Sequence, residues 1–366
     1  MKRYSFAGFQ VDSSSSAVGY ASYLLLLFPL FLQAQMRVVI PDLGKKDMGM
    51  PDCEVECIPL ETTADCLLTP GTNVYVTESN IVVAEYFGKA YLFDRKDGHF
   101  IHEIGRRGQG PGEYMGWWAA AGLDEKEQIL YHWEVAHWKG YDVKTGKLKR
   151  SLKMPERMAI LNPFGYKPGL FLGHTTNVTG KTPTKLAVFD KNGVVSKVYP
   201  NYEQKILDFK ENESWLCSGL FYNYEGKTYF QEIKTDTVFQ VLEDRLNPIF
   251  FFQHSPKVLP YVLGETKRYL VFKLEKGKEW HIIFFDKKRA VCYVDFESAN
   301  VPKEWYEGKT NCNFMNQQGE LAFLLNPEEI LQYIEKHPEN KKGWDLRLLD
   351  LQEDDNPVVM ILKVKD

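Results

Sequence analysis

Residues 73–104 read NVYVTESNIVVAEYFGKAYLFDRKDGHFIHEI, a stretch in which four short runs are rich in β-branched and aromatic residues. The runs are 74–77, 81–84, 91–93 and 100–104, and they are separated by the turn residues Asn80, Gly88 and Asp97-Gly98. β-Branched and aromatic residues favour strands, whereas Gly, Asn and Asp favour tight turns. The stretch therefore predicts four consecutive strands in an antiparallel meander without a helix.

The phrase that closes the third run, Phe93-Asp94, recurs along the chain at a fixed spacing. Steps of 48 residues from Asp94 reach 142, 190, 238 and 286, and three of these positions are aspartates that follow an aromatic residue, Asp142, Asp190 and Asp286. The other position is Val238, in an apolar run that lacks the turn aspartate. A fixed period of this length is typical of repeat architectures, in which one unit cannot bury its apolar face alone.

About six units of roughly 50 residues predict an all-β fold, a six-bladed β-propeller of four-stranded antiparallel blades. We interpret Leu349-Asp350 as the sixth copy, although its aspartate lies 16 residues beyond position 334, which the next step of 48 reaches. A short helix inserted in the last blade explains the delay, because Asn326 and Pro327 are typical of a helix start and Pro338 of a stop. We also predict that the strand at 55–60 closes the ring by pairing with 346–351 or 358–364, since proteins avoid open sheet edges.

The repeated aspartates have a structural explanation, which we favour over a ring of metal ligands. An aspartate carboxylate can accept backbone N–H groups two residues further on and so fix a turn. Gly98, Gly146 and Gly193 follow these aspartates and can supply the positive φ of a tight hairpin.

The N-terminal residues have the pattern of a targeting segment. Lys2 and Arg3 precede the apolar stretch 20–32, YASYLLLLFPLFL, which is long enough for a signal peptide but too short to span a bilayer. We predict a signal peptide at 1–34, a lead-in at 35–54 and the propeller at 55–366, with an uncleaved anchor as the alternative. With the signal peptide removed, the mature chain would have no transmembrane span and would work outside the cytoplasm, in the periplasm or at the cell surface.

Charge and cysteine content narrow the functional classes. The net charge is −4, from 45 Lys and Arg against 49 Asp and Glu, so the sequence offers no basic field for nucleic acid. The six cysteines include Cys53 and Cys57 on a predicted strand, where a spacing of four places them about 13 Å apart, too far for a disulfide. We expect free, buried thiols and no metal site.

Residues 105–114, GRRGQGPGEY, form the most unusual stretch. Its four glycines could present N–H groups to an anion, but the Lys and Ser/Thr of a phosphate-binding P-loop do not follow. A tight linker between the first two blades is the alternative, and both roles can coexist. The predicted ligand-binding residues are Arg106, Arg107, Gln109, Glu113 and Tyr114; no catalytic residue can be assigned.

A second cluster contains His132, Trp133, Glu134, His137 and Trp138. The two histidines are five residues apart, which does not fit a helical metal pair, and a wet aromatic loop is the favoured interpretation. Exposed tryptophans here and at 117 and 118 would suit carbohydrate binding, or they could belong to the blade core.

The chain resembles the six-bladed β-propeller family of secreted proteins and lipoproteins of Bacteroides and its relatives, which is similar in architecture to NHL-type propellers. The likeness rests on Phe93-Asp94 through Gly105 with the following 108–114, on 236–239 with 246–248, and on 355–359. It covers about residues 55–366. The resemblance implies a fold and an extracytoplasmic location, and it implies no agreed activity.

The favoured function is a non-catalytic binding or scaffold protein of the bacterial envelope, monomeric, whose partner is an unknown envelope protein or glycan. We predict no cofactor. The alternatives are a metal-dependent hydrolase or lyase that uses a cation such as calcium in the central channel, and a carbohydrate-binding module.

Overall fold

The computed structural model describes part of the chain. It covers residues 35–40, 43, 51, 53–69, 72–85, 89–115, 120–134, 137–155, 160–162, 167, 169–175, 177, 181–202, 219–233, 235–253, 258–276, 279–294, 301–302, 305, 312, 314–338 and 346–366. The chain divides into two units, Met1–Gln35 and Met36–Asp366, and every described helix and strand belongs to the second. The predicted signal peptide at 1–34 lies outside the described residues.

The described elements are strands, with one α-helix and a short 3₁₀ helix near the C-terminus. In chain order the first strands are β1 (Met36–Val39), β2 (Cys53–Pro59), β3 (Thr72–Val76), β4 (Asn80–Glu85), β5 (Ala90–Asp94), β6 (Phe100–Glu103), β7 (Ala120–Asp124), β8 (Ile129–Glu134), β9 (His137–Asp142), β10 (Leu148–Lys153), β11 (Ile160–Asn162), β12 (Leu170–His174), β13 (Thr184–Asp190) and β14 (Val195–Pro200). The remaining elements are β15 (Gly219–Tyr224), β16 (Lys227–Glu232), β17 (Thr237–Val241), β18 (Leu246–Gln253), β19 (Leu259–Glu265), β20 (Tyr269–Lys276), β21 (Glu279–Asp286), β22 (Val291–Val294), β23 (Glu320–Leu325), α1 (Pro327–Lys336), the 3₁₀ helix Leu346–Leu349 and β24 (Val358–Val364).

These strands form six sheets, which are the six blades of a β-propeller. Blades 1, 2, 3 and 5 are the four-stranded meanders β3–β6, β7–β10, β11–β14 and β19–β22. Blade 4 consists of β15–β18 with β1 added at its edge, and blade 6 consists of β23, β24 and β2. The predicted six-bladed architecture is confirmed, and so are the four strands in most blades.

Each pair of neighbouring blades encloses one apolar cluster, and the six clusters together close the ring. The cluster between blades 1 and 2, for example, packs Val82 and Leu92 against Leu123 and Tyr141. Because every blade has a neighbour on both faces, a strand such as β4 is buried over nearly its whole length. Burial on both faces explains why the second and third strands read as continuous apolar runs rather than as alternating ones.

The repeated aspartates end the third strand of blades 1, 2, 3 and 5 and fix the turn that follows. Asp94 Oδ1 accepts the N–H of Lys96 at 2.7 Å, and Asp286 Oδ1 accepts the N–H groups of Lys288 and Arg289 at 2.9 Å each. Asp142 and Asp190 accept backbone N–H groups in the same way. The predicted structural role of the aspartates is therefore confirmed, and the three glycines that follow them have positive φ.

The helix in the last blade is confirmed, but the predicted sixth copy of the aspartate phrase is wrong. Asn326 caps α1 by accepting the N–H of Glu328 at 3.0 Å, and the helix lies between β23 and β24. Leu346–Leu349 is a 3₁₀ helix rather than a strand, and the ring closes through β2 and β24, paired antiparallel from Cys53↔Val364 to Pro59↔Val358. The inserted segment thus delays the strand beyond Asp350, and only the second predicted partner of the closing strand is correct.

The predicted lead-in, residues 35–54, contains a strand of the ring. β1 pairs in parallel with β18, and Val38 is fully buried in the cluster between blades 4 and 5. The β18 edge that it covers includes Phe250, Phe251 and Phe252, and an uncovered apolar edge of this kind invites aggregation.

Five of the six cysteines are described, and all five are free thiols. Cys57, Cys66, Cys292 and Cys312 are buried, whereas Cys53 is partly exposed. The prediction of free thiols is confirmed for these five; Cys217 lies outside the described residues.

Candidate functional site

The stretch 105–114 forms a compact loop that leaves the outer strand of blade 1 and leads towards the inner strand of blade 2. At its base, Gly105 N donates to Gly146 O of blade 2 at 2.8 Å. Within the loop, Gly108 N donates to Tyr114 O and Tyr114 N donates to Arg106 O, both at 2.9 Å. Backbone hydrogen bonds therefore fix the loop against itself and against the next blade.

Glu113 stabilises the tip of this loop. Its Oε2 accepts the N–H of Gly110 at 2.8 Å, and the carboxylate occupies the space beside Gly108. A Cβ on residue 108 would lie 2.0 Å from that oxygen, so a side chain there would displace the carboxylate. The glycine-rich spacing is thus explained by the internal packing of the loop, as the linker interpretation predicts.

Tyr114 fastens the loop to the core between blades 1 and 2. Its side chain is 1% exposed, and its ring stacks on His132 with centroids 4.2 Å apart and meets the edge of Tyr141 at 5.7 Å. Burial raises the pKa of the Tyr114 hydroxyl well above its usual value. The structure therefore places this predicted ligand-binding residue in the interior, away from the four others.

Arg106, Arg107 and Gln109 are exposed on the same loop. Arg106 lies 3.7 Å from Glu113, measured from Nε to Oε1, with its side chain 82% exposed. An ion pair this long and this exposed contributes little to stability. The loop consequently presents two guanidinium groups and one amide to solvent on a fixed backbone, an arrangement suited to binding carboxylate or phosphate groups.

The histidine and tryptophan cluster lies on β8 and β9, beneath this loop. The cross-strand pairs are His132↔Lys139, Trp133↔Trp138 and Glu134↔His137. Lys139 Nζ lies 3.0 Å from Glu134 Oε1 and also donates to the carbonyl oxygen of Glu113. Burial lowers the pKa of His132 to about 4, so its imidazole is neutral at physiological pH.

The two histidines of this cluster do not converge, because His132 is buried under Tyr114 and His137 is exposed at the start of β9. Trp138 belongs to the blade core at 3% exposure and Trp133 is partly buried; Trp117 and Trp118 lie outside the described residues. Among the residues that the structure describes, no three His, Cys, Asp or Glu side chains are grouped to hold a metal ion.

A second surface feature lies at the closure seam, where blade 6 meets blade 1. It is a cleft of about 360 Å³ lined by Pro59, Leu60, Glu61, Thr62, Asp97, His99, Arg347, Asp350, Leu351 and Asp355. Glu61 Oε2 lies 2.7 Å from His99 Nδ1 and accepts the N–H of Phe100 at 2.8 Å. Sequence reasoning missed this cleft because its walls come from three distant segments.

Asn356, which belongs to the phrase at 355–359, lies at the closure seam. It is 1% exposed, and its Nδ2 donates to the carbonyl oxygens of Glu61 and Cys66, each at 2.7 Å. Its Oδ1 accepts the N–H of Leu68 at 2.8 Å. The phrase at 355–359 thus serves to bind the segment between β2 and β3 to the last blade.

Two further carboxyl groups lie at the ends of inner strands with raised pKa values. Burial raises the pKa of Glu265, at the end of β19, to about 7, although Lys287 at 3.7 Å opposes the shift. Burial also raises the pKa of Glu125, which follows β7, to about 7, although its Oε2 accepts the N–H of Gln317 at 3.2 Å. Both groups are paired within the protein, so we assign neither to a ligand site.

Among solved structures, the chain is similar to a protein of Bacteroides fragilis NCTC 9343 whose name describes it as exported, with 15% identity and a TM-score of 0.67 over 90% of this chain and 99% of that one. It is also similar to the Cps50 (Swd1) β-propeller domain from Myceliophthora thermophila, with 9% identity and a TM-score of 0.37 over 64% of this chain and 89% of that one. A third similar structure is the computationally designed Ika8 protein, at 12% identity and a TM-score of 0.38 over 76% and 85% of the two chains. At these identities the likeness concerns the fold alone.

No helix among the described residues is long and apolar enough to cross a membrane.

The comparison with curated proteins found no match. The family model "Domain of unknown function (DUF4934)" matches residues 53–363, from the start of β2 into β24, and the chain therefore belongs to the DUF4934 family.

Proposed function

We propose that this chain is an extracytoplasmic propeller of the bacterial envelope that binds a partner without catalysing a reaction. The exposed Arg106, Arg107 and Gln109 carry this proposal, because they project from a loop that hydrogen bonds hold rigid. A rigid scaffold that presents loop side chains is a common design for recognition, and fixed groups lose little entropy on binding. The name of the Bacteroides fragilis neighbour and the predicted signal peptide support an address outside the cytoplasm.

The partner that fits this loop best carries carboxylate or phosphate groups. Two adjacent guanidinium groups can each form bidentate hydrogen bonds with such anions, and Glu113 leaves them largely exposed. An envelope protein with an acidic surface and an acidic glycan both satisfy this chemistry.

The decisive experiment measures a defined complex rather than simple capture. A partner isolated from envelope extracts should form a complex of fixed stoichiometry with the protein by light scattering, and R106A/R107A/Q109A should weaken it at least about tenfold, the usual effect of losing a charged hydrogen bond at an interface. A matched control, K126A/K288A/R289A, changes exposed residues in other turns and should leave affinity unchanged. Equal losses in both variants, or turnover of a substrate that requires a stoichiometric cation, would refute the proposal.

A further inference from the structure

A contiguous set of cations lies along the outer edge of blades 1, 2 and 3. The set extends well beyond the loop of the proposed function, onto the turn after β9, the end of β10 and the turn after β13. All of its members are exposed. We call it the basic rim, and it consists of Arg106, Arg107, Lys144, Lys147, Lys153 and Lys191.

Hydrogen bonds to backbone carbonyl groups hold the three parts of the basic rim together. His102 Nε2 lies 3.1 Å from Lys144 O, which joins the outer strand of blade 1 to the turn of blade 2. Lys153 N donates to Lys191 O at 3.1 Å, which joins the outer strand of blade 2 to the turn of blade 3. The cations therefore form one surface rather than three separate groups.

Carboxylates neutralise only part of this surface, where Glu113 lies 3.7 Å from Arg106 and Asp190 interacts with the neighbouring Lys191. Among the described residues, Arg107, Lys144, Lys147, Lys153 and Lys191 form no ion pair. The nearby Asp142 accepts the N–H of Thr145 at 2.9 Å and lies 3.4 Å from Lys149 instead. Since the whole chain carries a net charge of −4, the rim is a local reversal of sign.

Exposed aliphatic side chains lie beside these cations in the sequence, next to Lys147 and shortly after Lys191. Leu148 at the start of β10 is 39% exposed, and Val194, Val195 and Val198 on and beside β14 are 62%, 42% and 44% exposed. Lysines alone would be explained as protection of an open sheet edge against self-pairing. Exposed valines work against such protection, whereas cations mixed with aliphatic groups are typical of surfaces that bind anionic lipid interfaces.

We propose that the basic rim and its aliphatic neighbours dock the propeller onto a membrane surface that carries anionic phospholipids. The phosphate headgroups interact with the lysine and arginine side chains, and Leu148 and the three valines enter the interfacial layer. The docking surface shares Arg106 and Arg107 with the loop of the proposed function, and its other residues lie outside that loop. Substitutions of those other residues therefore test the docking surface separately from the proposed function.

The test is sedimentation of the purified protein with vesicles of phosphatidylcholine, with and without phosphatidylglycerol. We expect binding to the anionic vesicles only, and its loss as ionic strength is raised towards about 1 M, where the Debye length falls to about 3 Å. K144E/K147E should weaken binding at least about 100-fold, at about fivefold for each unit of charge. V194S/V195S should weaken it by a smaller factor and leave the salt dependence unchanged.

Matched controls separate this mechanism from general charge effects and from misfolding. K288E/R289E changes the net charge by the same amount in the equivalent turn of blade 5, away from the rim, and should bind like the wild type. All variants should keep wild-type melting temperatures. Absence of sedimentation, or equal weakening by both charge-reversal pairs, would overturn the proposal. Unchanged vesicle binding by V194S/V195S, together with equally tight binding of the wild type to soluble dextran sulfate, would also overturn the proposal. The rim would then be a site for polyanions in general. If R106A/R107A/Q109A weakens binding of the envelope partner and K144E/K147E does not, the proposed function stands whatever the vesicle experiment shows.

Discussion

Arg95 of blade 1 and Glu320 of blade 6 form a two-point ion pair across the closure seam, with Nη1–Oε2 and Nη2–Oε1 distances of 2.9 Å each. Their side chains are 17% and 6% exposed. Asn316 also donates to Glu320 at 2.7 Å, and Arg95 donates to Thr77 O at 2.9 Å. The pair thus links the first and last blades through two residues that lie 225 positions apart in the sequence.

Removing one partner of this pair should destabilise the ring strongly. Glu320→Gln leaves the Arg95 guanidinium with only the exposed Glu56, at 3.4 Å, as a charge partner. We expect a loss of about 3 kcal/mol in the free energy of unfolding by urea. Arg245→Ala is the control, since Arg245 pairs with Asp244 in an exposed turn and should cost at most about 1 kcal/mol. Equal effects of the two substitutions would contradict the role of the pair in closure.

The Arg95–Glu320 pair should stabilise the folded protein less at acidic pH. Burial raises the pKa of Glu320, but hydrogen bonds from Arg95 and Asn316 and the charge of Arg95 outweigh it and hold the pKa below its ordinary value. The folded state thus favours the ionised carboxyl, so its stabilisation is present above about pH 4.3 and is lost as pH falls through the lower folded pKa. Unfolding free energies measured from pH 6 to pH 3 should fall more steeply for the wild type than for Glu320→Gln.

His132 should make the stability of the protein depend on pH in a higher pH range. Burial lowers its pKa to about 4, whereas a histidine in the unfolded chain has a pKa of about 6.5. The unfolded state therefore gains a proton first, and the wild type should lose about 2 kcal/mol between about pH 6.5 and pH 5, at about 1.4 kcal/mol per pH unit. His132→Phe keeps the stacking on Tyr114 and should flatten this part of the profile. His137→Gln, at an exposed position, serves as the control, and a profile unchanged by His132→Phe would refute the explanation.

Gly108 and Glu113 should behave as one unit. Gly108→Ala displaces the Glu113 carboxylate, and Glu113→Ala removes it, so each change breaks the bond to Gly110 N and should cost about 1 kcal/mol. The double variant should cost no more than either single one, because the same hydrogen bond is already lost. Strict additivity in urea unfolding would show that the two residues act separately.

Ala290 offers a stabilising substitution. It has a φ of +55° in the turn after Asp286, at the position where the turn of blade 2 has Gly146 with a φ of +67°. Because a Cβ is disfavoured in the left-handed region, Ala290→Gly should raise the free energy of unfolding by about 0.5–1 kcal/mol. Gly146→Ala is the reciprocal change and should lower it, since the new Cβ would lie 2.8 Å from Glu103 O. Destabilisation by Ala290→Gly would contradict the assigned turn geometry.

Asn356 should control access to Cys66. Burial raises the pKa of the Cys66 thiol to about 12, and Asn356 Nδ2 lies 3.8 Å from its Sγ, so the native protein should react slowly with iodoacetamide. Asn356→Ala should cost about 2–3 kcal/mol, because it leaves buried carbonyl groups without donors, and should speed labelling of Cys66. Asn356→Asp should be worse, because a carboxylate would face two carbonyl oxygens. Cys292 provides the internal control for labelling, and equal acceleration at both thiols would indicate global unfolding instead.

Much of the fold could be predicted because its signals are local. Asp94 and the residues of its turn are near neighbours in sequence, so one phrase carries both the strand end and the turn. The wrong interpretation of Leu349-Asp350 arose because an apolar run before an aspartate also suits a 3₁₀ helix. The candidate site was predicted only in part, since the motif around Tyr114 does not distinguish a ligand-facing ring from one that stacks on a buried histidine.

The sequence by itself determined the number of blades, their strand order and the turns within them, because these depend on hydrogen bonds and apolar patterns within about 50 residues. Only the tertiary structure decided which residues meet when the ring closes. The Arg95–Glu320 pair, the Asn356 contacts, the docking of β1 on β18 and the grouping of the basic rim all join residues that lie far apart in the chain. Their positions depend on the packing of whole blades, whose geometry no local pattern of residues encodes.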